Sequence, residues 1–99
     1  MSKIIKLSMA KYIKVKYAKL GKQKAWGIAH GRDYIEIDER LKGRKHLEIL
    51  IHECLHILLP QLDEEEVIKH SVMLTNTLYK ERYRRVDEDP KMPLQDGSN

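Results

Sequence analysis

Residues 47–67 read "LEILIHECLHILLPQLDEEEV", and the way this stretch divides decides the fold. Apolar side chains recur three and four residues apart from Leu47 to Leu59, which is the helical period. Pro60 then disfavours continuation, because it has no N–H to donate and restricts the residue before it. Asp63 follows, with Glu66 three residues on, an arrangement like a capping box that opens a second helix. The pattern predicts one helix from Gly43 or Arg44 to Leu59 and another from the Asp63 cap to about Arg84. Only Pro60, Gln61 and Leu62 separate them, so the helices should be antiparallel neighbours ~8–10 Å apart.

Upstream the period changes. In "KYIKVKYAKL", residues 11–20, Tyr12, Lys14 and Lys16 alternate with Ile13, Val15 and Tyr17, as in a half-buried strand. Ile4, Ile5 and Leu7 suit an earlier strand or an N-terminal arm. Ala25 to His30 reads as a further short strand, and "HGRD" at 30–33 as a hairpin turn into "YIEID" at 34–38. Connections this short leave no room for helical crossovers, so the expected sheet is antiparallel, with three or four strands. The chain is thus expected to be α+β: a small antiparallel sheet followed by two antiparallel helices, one domain over residues 1–86. The stretch 87–99, "DEDPKMPLQDGSN", is acidic and carries two prolines and a glycine, which predicts a flexible tail.

Ninety-nine residues suffice for one core, and with 41% apolar residues, one Trp and no Phe that core must be built from Leu, Ile and Val. A bound metal would add useful stability. No apolar run approaches the ~20 residues needed to cross a bilayer, and no secretory signal is read at the N-terminus. Cys54 alone cannot form an intramolecular disulfide, which fits a reducing, cytoplasmic location. The net charge of +4 is unevenly spread: residues 1–32 hold eight Lys, one Arg and no acid, and the remainder ten basic and fifteen acidic residues. A basic segment of this kind can attract nucleic acid or an acidic partner; its bland reading is a solvated, lysine-coated strand face.

Within the opening stretch, His52, Glu53, Cys54, Leu55 and His56 spell H-E-x-x-H. With five His and nine Glu in the chain, chance produces this pattern with a probability of about 0.02. Advancing ~100° per residue from His52, the side chains of Leu47, Leu50, Ile51, Cys54, Ile57 and Leu58 fall between about 140° and 260°, the expected core face. His52 and His56 fall together on the opposite side, with Glu53 on the flank near 100°. Two imidazoles at i and i+4 can offer two nitrogens to one tetrahedral Zn²⁺, which then needs a third protein ligand and keeps a position for water.

On the second helix, the stripe of Val67, Ile68, Val72, Leu74, Leu78 and Tyr79 is centred on Glu64. A carboxylate in the middle of an apolar stripe is costly unless it is paired or binds a cation. Asp63 and Glu66 already have capping roles, so Glu64 is the expected third ligand, with Glu65 in reserve and His70 less well aimed. The competing explanation for Glu64 is an acid opposing the helix macrodipole. With His52, His56 and Glu64 on zinc, a bound water becomes more acidic and Glu53 is placed to take its proton as general base. Tyr79, Tyr83 and His70 are the candidates for steadying an oxyanion.

From about Tyr34 to Arg85, through "YIEID", "LKGRKHLEILIHECLH" and "LLPQLDEEEV" to a helix ending "YRR", the sequence resembles gluzincin-type zinc metalloproteases. More narrowly, it resembles the very short zincin-like proteins of phages and prophages. The resemblance implies a zincin-like domain, His52, His56 and Glu64 as zinc ligands, Glu53 as general base, and a peptide or protein substrate laid along a sheet edge, either Ala25–His30 or Tyr34–Asp38. It also implies host cytoplasm as the location. Only eight positions separate His56 from Glu64, a departure from larger gluzincins, where the glutamate comes much later. The expected function is therefore a zinc hydrolase, a peptidase by resemblance. The alternative is a non-catalytic zincin-fold protein that binds nucleic acid or a host protein through its basic N-terminal sheet.

Overall fold

The computed structural model describes residues 11–86, and the expectations for Ile4, Ile5 and Leu7 and for the tail at 87–99 lie outside them. The alternating residues form three strands: β1 at Val15–Ala18, β2 at Gly27–His30 and β3 at Tyr34–Asp38. Two helices follow, α1 at Gly43–Leu58 and α2 at Glu64–Lys80, so the architecture is α+β. No helix among the described residues is long and apolar enough to cross a membrane.

The sheet corrects the antiparallel expectation. Its order is β1-β3-β2; β2 and β3 form the expected antiparallel hairpin, but β1 pairs with β3 in parallel. A helix is not needed for this crossover, because β2 itself carries the chain back. β1 ends, a 3₁₀ turn at Gly21–Gln23 reverses direction, β2 runs along the far edge and β3 returns through the middle.

Register assigns the faces. Val15, Ile35 and Ala29 stand in one inward row, and Tyr17, Ile37 and Gly27 in the next. Ile35 and Ile37 are fully buried and, with Leu41 and Ile57, form the core, on which Ile13, Val15, Ala29, Ile49, Leu50 and Cys54 pack. The alternate positions, Lys16, Glu36 and Ile28 in one row and Ala18, Asp38 and Trp26 in another, point to the opposite face. No described helix covers that face, since α1 lies on the inner one and α2 packs on α1.

The layers are therefore sheet, α1, α2, with α1 in the middle. This rotates the buried face of α1 away from the purely apolar projection: His46, Glu53 and Ile57 are buried, while Leu58, expected in the core, is 63% exposed. On α2 the buried positions are Val67, Ser71 and Thr75. The small hydroxyl residues let the helices approach closely and satisfy themselves, Ser71 donating to the Ile68 carbonyl at 3.0 Å and Thr75 to that of Ser71 at 2.7 Å. Ile68, Val72 and Leu74, expected in the contact stripe, are consequently exposed.

The termini of α2 differ in how far they could be foreseen. The capping box is present at the start: Asp63 accepts from the Glu66 N–H at 2.8 Å, and Glu66 from the Asp63 N–H at 3.1 Å. The helix stops at Lys80, short of the expected Arg84. Arg82 adopts a left-handed conformation (φ 72°), so that its N–H reaches the Tyr79 carbonyl and that of Tyr83 the Leu78 carbonyl. This is a Schellman end, usually marked by glycine, which an arginine conceals.

Two buried polar groups hold the turns. Asp38 accepts from the Leu20 N–H at 3.1 Å, from the Arg40 N–H at 2.9 Å and from the Arg40 guanidinium at 2.8 Å, tying both loops beyond the sheet. The Arg40 side chain, then its backbone N–H, hold the Asp38 carboxyl far below the usual carboxylate range. His46 is buried at the start of α1, with Nε2 2.9 Å from the Tyr17 hydroxyl. Burial first, and Arg85 second, press its pKa below the ordinary value of 6.5.

The fold thus prefers His46 neutral, whereas in the unfolded chain it takes up a proton near pH 6.5. The unfolded state binds more protons there, so stability falls as pH drops through that value and its His46 contribution is constant above it. Urea unfolding with chelator present, between pH 8 and pH 5.5, should show a shallower pH dependence for His46→Gln than for the parent chain. Identical slopes would contradict this.

Candidate metal centre

His52 and His56 are brought onto one flank of α1 by the four-residue spacing, between the sheet below and α2 above. Their Nε2 atoms are 3.3 Å apart. Pro60 and the short link after it turn the chain so that the first turn of α2 stands beside them. Glu64 reaches across with both carboxylate oxygens, Oε2 lying 3.1 Å from His52 Nε2 and Oε1 3.0 Å from His56 Nε2. The three residues form a group whose ligand atoms all lie within 4.8 Å of one another. Glu65, His70 and Tyr83 are exposed and stand outside it. Tyr79 packs with Arg44 and Arg84 near the start of α1, away from the site.

The spacing can be compared with what a metal requires. Tetrahedral Zn²⁺ with ligands at ~2.0–2.1 Å separates neighbouring ligand atoms by ~3.3 Å. The two imidazole nitrogens, 3.3 Å apart, match that edge; Glu64 approaches them through two different carboxylate oxygens at 3.1 and 3.0 Å, and the donor set of two imidazoles and a carboxylate is one that zinc accepts.

No family model, curated protein or solved structure matches the chain.

Glu53 occupies a different environment from Glu64. It is 7% exposed, on the sheet-facing side of α1, and its carboxyl makes no hydrogen bond to any described residue. Burial pushes its pKa up, His52 and His56 draw it down, and Glu64 pushes it up again. A buried carboxyl without a partner among the described residues is costly, and this one stands beside the imidazoles of His52 and His56.

The approach of β2 to α1 at this point depends on Gly27. A Cβ there would stand 2.7 Å from Ile49 Cγ2, 2.9 Å from Glu53 Cγ and 3.1 Å from Glu53 Oε2. Gly27→Ala should therefore force Glu53 and Ile49 aside and destabilise the fold by about 1–3 kcal/mol in urea unfolding. An unchanged midpoint would refute this close approach. Sequence reading passed over Gly27, because nothing local distinguishes it from an ordinary strand-opening glycine.

A cleft of about 640 Å³ opens in front of the group, walled by Gly27, Ile28 and Ala29 on one side and by His52, Glu53, His56 and Glu64 on the other. β2 is the edge strand along it; β3 is central, which removes Tyr34–Asp38 from the two edges expected to receive a peptide. Arg32, in the β2–β3 turn, stands at the rim. It makes no ion pair or hydrogen bond with a described side chain, and it is the one lysine or arginine among the described residues lining the cleft. Its presence was not foreseen, since the face over which the turn hangs is decided only when the sheet docks on α1.

Proposed function

We infer that the chain is a zinc-dependent hydrolase acting on peptide bonds, with His52, His56 and Glu64 as metal ligands and Glu53 as general base. The observation that carries this reading is the convergence of two imidazoles and a carboxylate, one ligand atom of each within 4.8 Å of the others, next to a buried carboxyl with no hydrogen-bonding partner among the described residues. Bound there, Zn²⁺ would supply a Lewis acid that polarises a carbonyl and makes a water more acidic. Glu53 takes up the proton released by the nucleophile at a carboxylate oxygen, and burial makes that carboxylate a better proton acceptor than a solvated one. The walls formed by Gly27 and Ile57 limit the access of other water to it. Peptide is favoured as substrate because the outer edge of β2, which no described strand pairs with, runs along the cleft and offers its backbone N–H and C=O groups to an extended chain. Arg32 at the rim is placed to hold an anionic group of that chain.

The reading predicts about one zinc per chain and hydrolysis of unfolded protein substrates that chelator removes. Glu53→Gln should keep the zinc and lose at least about a hundredfold in rate. Purified protein without tightly bound metal, whose thermal unfolding ignores both zinc and chelator, would overturn the proposal. Full zinc binding with equal hydrolysis by Glu53→Gln would overturn the role of Glu53.

A further inference from the structure

The outer face of the sheet has no part in the metal centre, and we propose that it is a binding surface for single-stranded nucleic acid, with Trp26 as a stacking platform and Lys14 and Lys16 as phosphate contacts.

The surface follows from register. β1 pairs with β3 so that Lys16 faces outward beside Glu36, and Lys14, whose carbonyl accepts from the Ile35 N–H, lies one row further on. Trp26 lies in the row of Asp38, at the other end of the face, and is 48% exposed. Four residues along a strand separate these rows, about 13 Å. An exposed indole on a sheet face that no described element covers is expensive for a domain with so little aromatic surface to bury.

Charge decides the class of partner. Both acids on the face are already engaged, Glu36 with His30 at 2.7 Å and Asp38 with Arg40 at 2.8 Å. Arg40, anchored in this way, leaves 60% of its side chain exposed, with its guanidinium 5.6 Å from the centre of the Trp26 ring. The loop leading into the Trp26 row adds Lys19, Lys22 and Lys24, all exposed, and the exposed acids Asp33 and Glu39 stand only at the corners. Cations spread over a flat face bearing an exposed ring suit a flexible polyanion with bases free to stack. A duplex keeps its bases stacked internally and offers none to Trp26.

Trp26 is the only tryptophan of the chain, so its fluorescence reports directly on this surface. The full-length chain, titrated with a 20-nucleotide oligothymidylate at 50 mM salt, should show quenching of Trp26. With the two phosphate contacts of Lys14 and Lys16, affinity should fall roughly sevenfold on raising salt to 200 mM. In anisotropy measurements with a labelled oligonucleotide, Lys14→Gln with Lys16→Gln should weaken binding and flatten the salt dependence. Trp26→Ala should weaken it about fivefold or more. These side chains are exposed, and thermal unfolding of each variant checks that the fold is intact. Glu53→Gln and chelator should leave binding unchanged, which separates this inference from the hydrolase proposal. No binding at 50 mM salt, equal affinity for duplex DNA of the same length, or variants that bind like the parent chain would each overturn it.

Discussion

His52→Ala, and separately His56→Ala, will each lower zinc affinity about a hundredfold or more. A complete zinc site of four ligands contributes on the order of 10–16 kcal/mol, so one ligand is responsible for roughly 3 kcal/mol. The effect is best read as stability. At a free zinc concentration a hundred times the dissociation constant of the parent site, binding stabilises the fold by about 2.7 kcal/mol, and at the same concentration a hundredfold weaker site gives about 0.4 kcal/mol. For a domain of this size the first corresponds to a melting temperature higher by about 10–20 °C and the second to one higher by only ~2–3 °C. Glu64→Ala should behave like the histidine variants, because Glu64 is the carboxylate touching both imidazoles. Glu65→Ala and His70→Ala should shift nothing. Without zinc, all five variants should melt close to the parent chain, since partly exposed His–Glu pairs contribute about 1 kcal/mol or less. Zinc-dependent melting that persists undiminished in His52→Ala would place the metal elsewhere.

Ile37→Ala is expected to cost about 2–5 kcal/mol with or without metal. Ile37 is fully buried on the central strand, in the row that faces α1, and its loss leaves a cavity beneath the helix that carries the histidines. A domain of this size commonly has only 5–15 kcal/mol in total, so the variant should unfold at markedly lower urea. The informative control is Leu58→Ala. The helical projection places Leu58 in the core, but in the fold it is 63% exposed, and its truncation should stay within about 0.5 kcal/mol of the parent. If Leu58→Ala proved as damaging as Ile37→Ala, the docking of α1 on the sheet would have to be different.

The helical half was legible because its signals are local. Pro60 and the Asp63–Glu66 box mark their own positions, and the i, i+4 spacing brings His52 and His56 together whatever the rest of the chain does. Glu64 was singled out as the centre of an apolar stripe, but Ile68, Val72 and Leu74 of that stripe are exposed, and it is the short link after Pro60 that stands Glu64 beside the histidines. What stayed hidden depends on contacts between distant segments. The parallel pairing of β1 has no local mark, since an alternating strand reads the same whichever way its neighbour runs. The burial of Glu53 was missed because the projection weighed only apolar residues, whereas the sheet docks on α1 through Gly27, which has no side chain to weigh. The left-handed turn at Arg82 escaped for a related reason: arginine gives no hint of that backbone conformation.

The order of layers has a kinetic consequence. α1 is covered by the sheet on one side and by α2 on the other, whereas among the described elements α2 packs mainly on α1. Its amide protons should therefore exchange with solvent through a local opening well below the global unfolding free energy, while those of α1 and β3 wait for the whole molecule. Two of the proposed metal donors thus belong to the last part of the chain to come apart and the third to the first. An opening of α2 would carry Glu64 away and leave the histidine pair in place, so the rate at which an ion is exchanged would be set by the hinge at Pro60 and not by the stability of the domain.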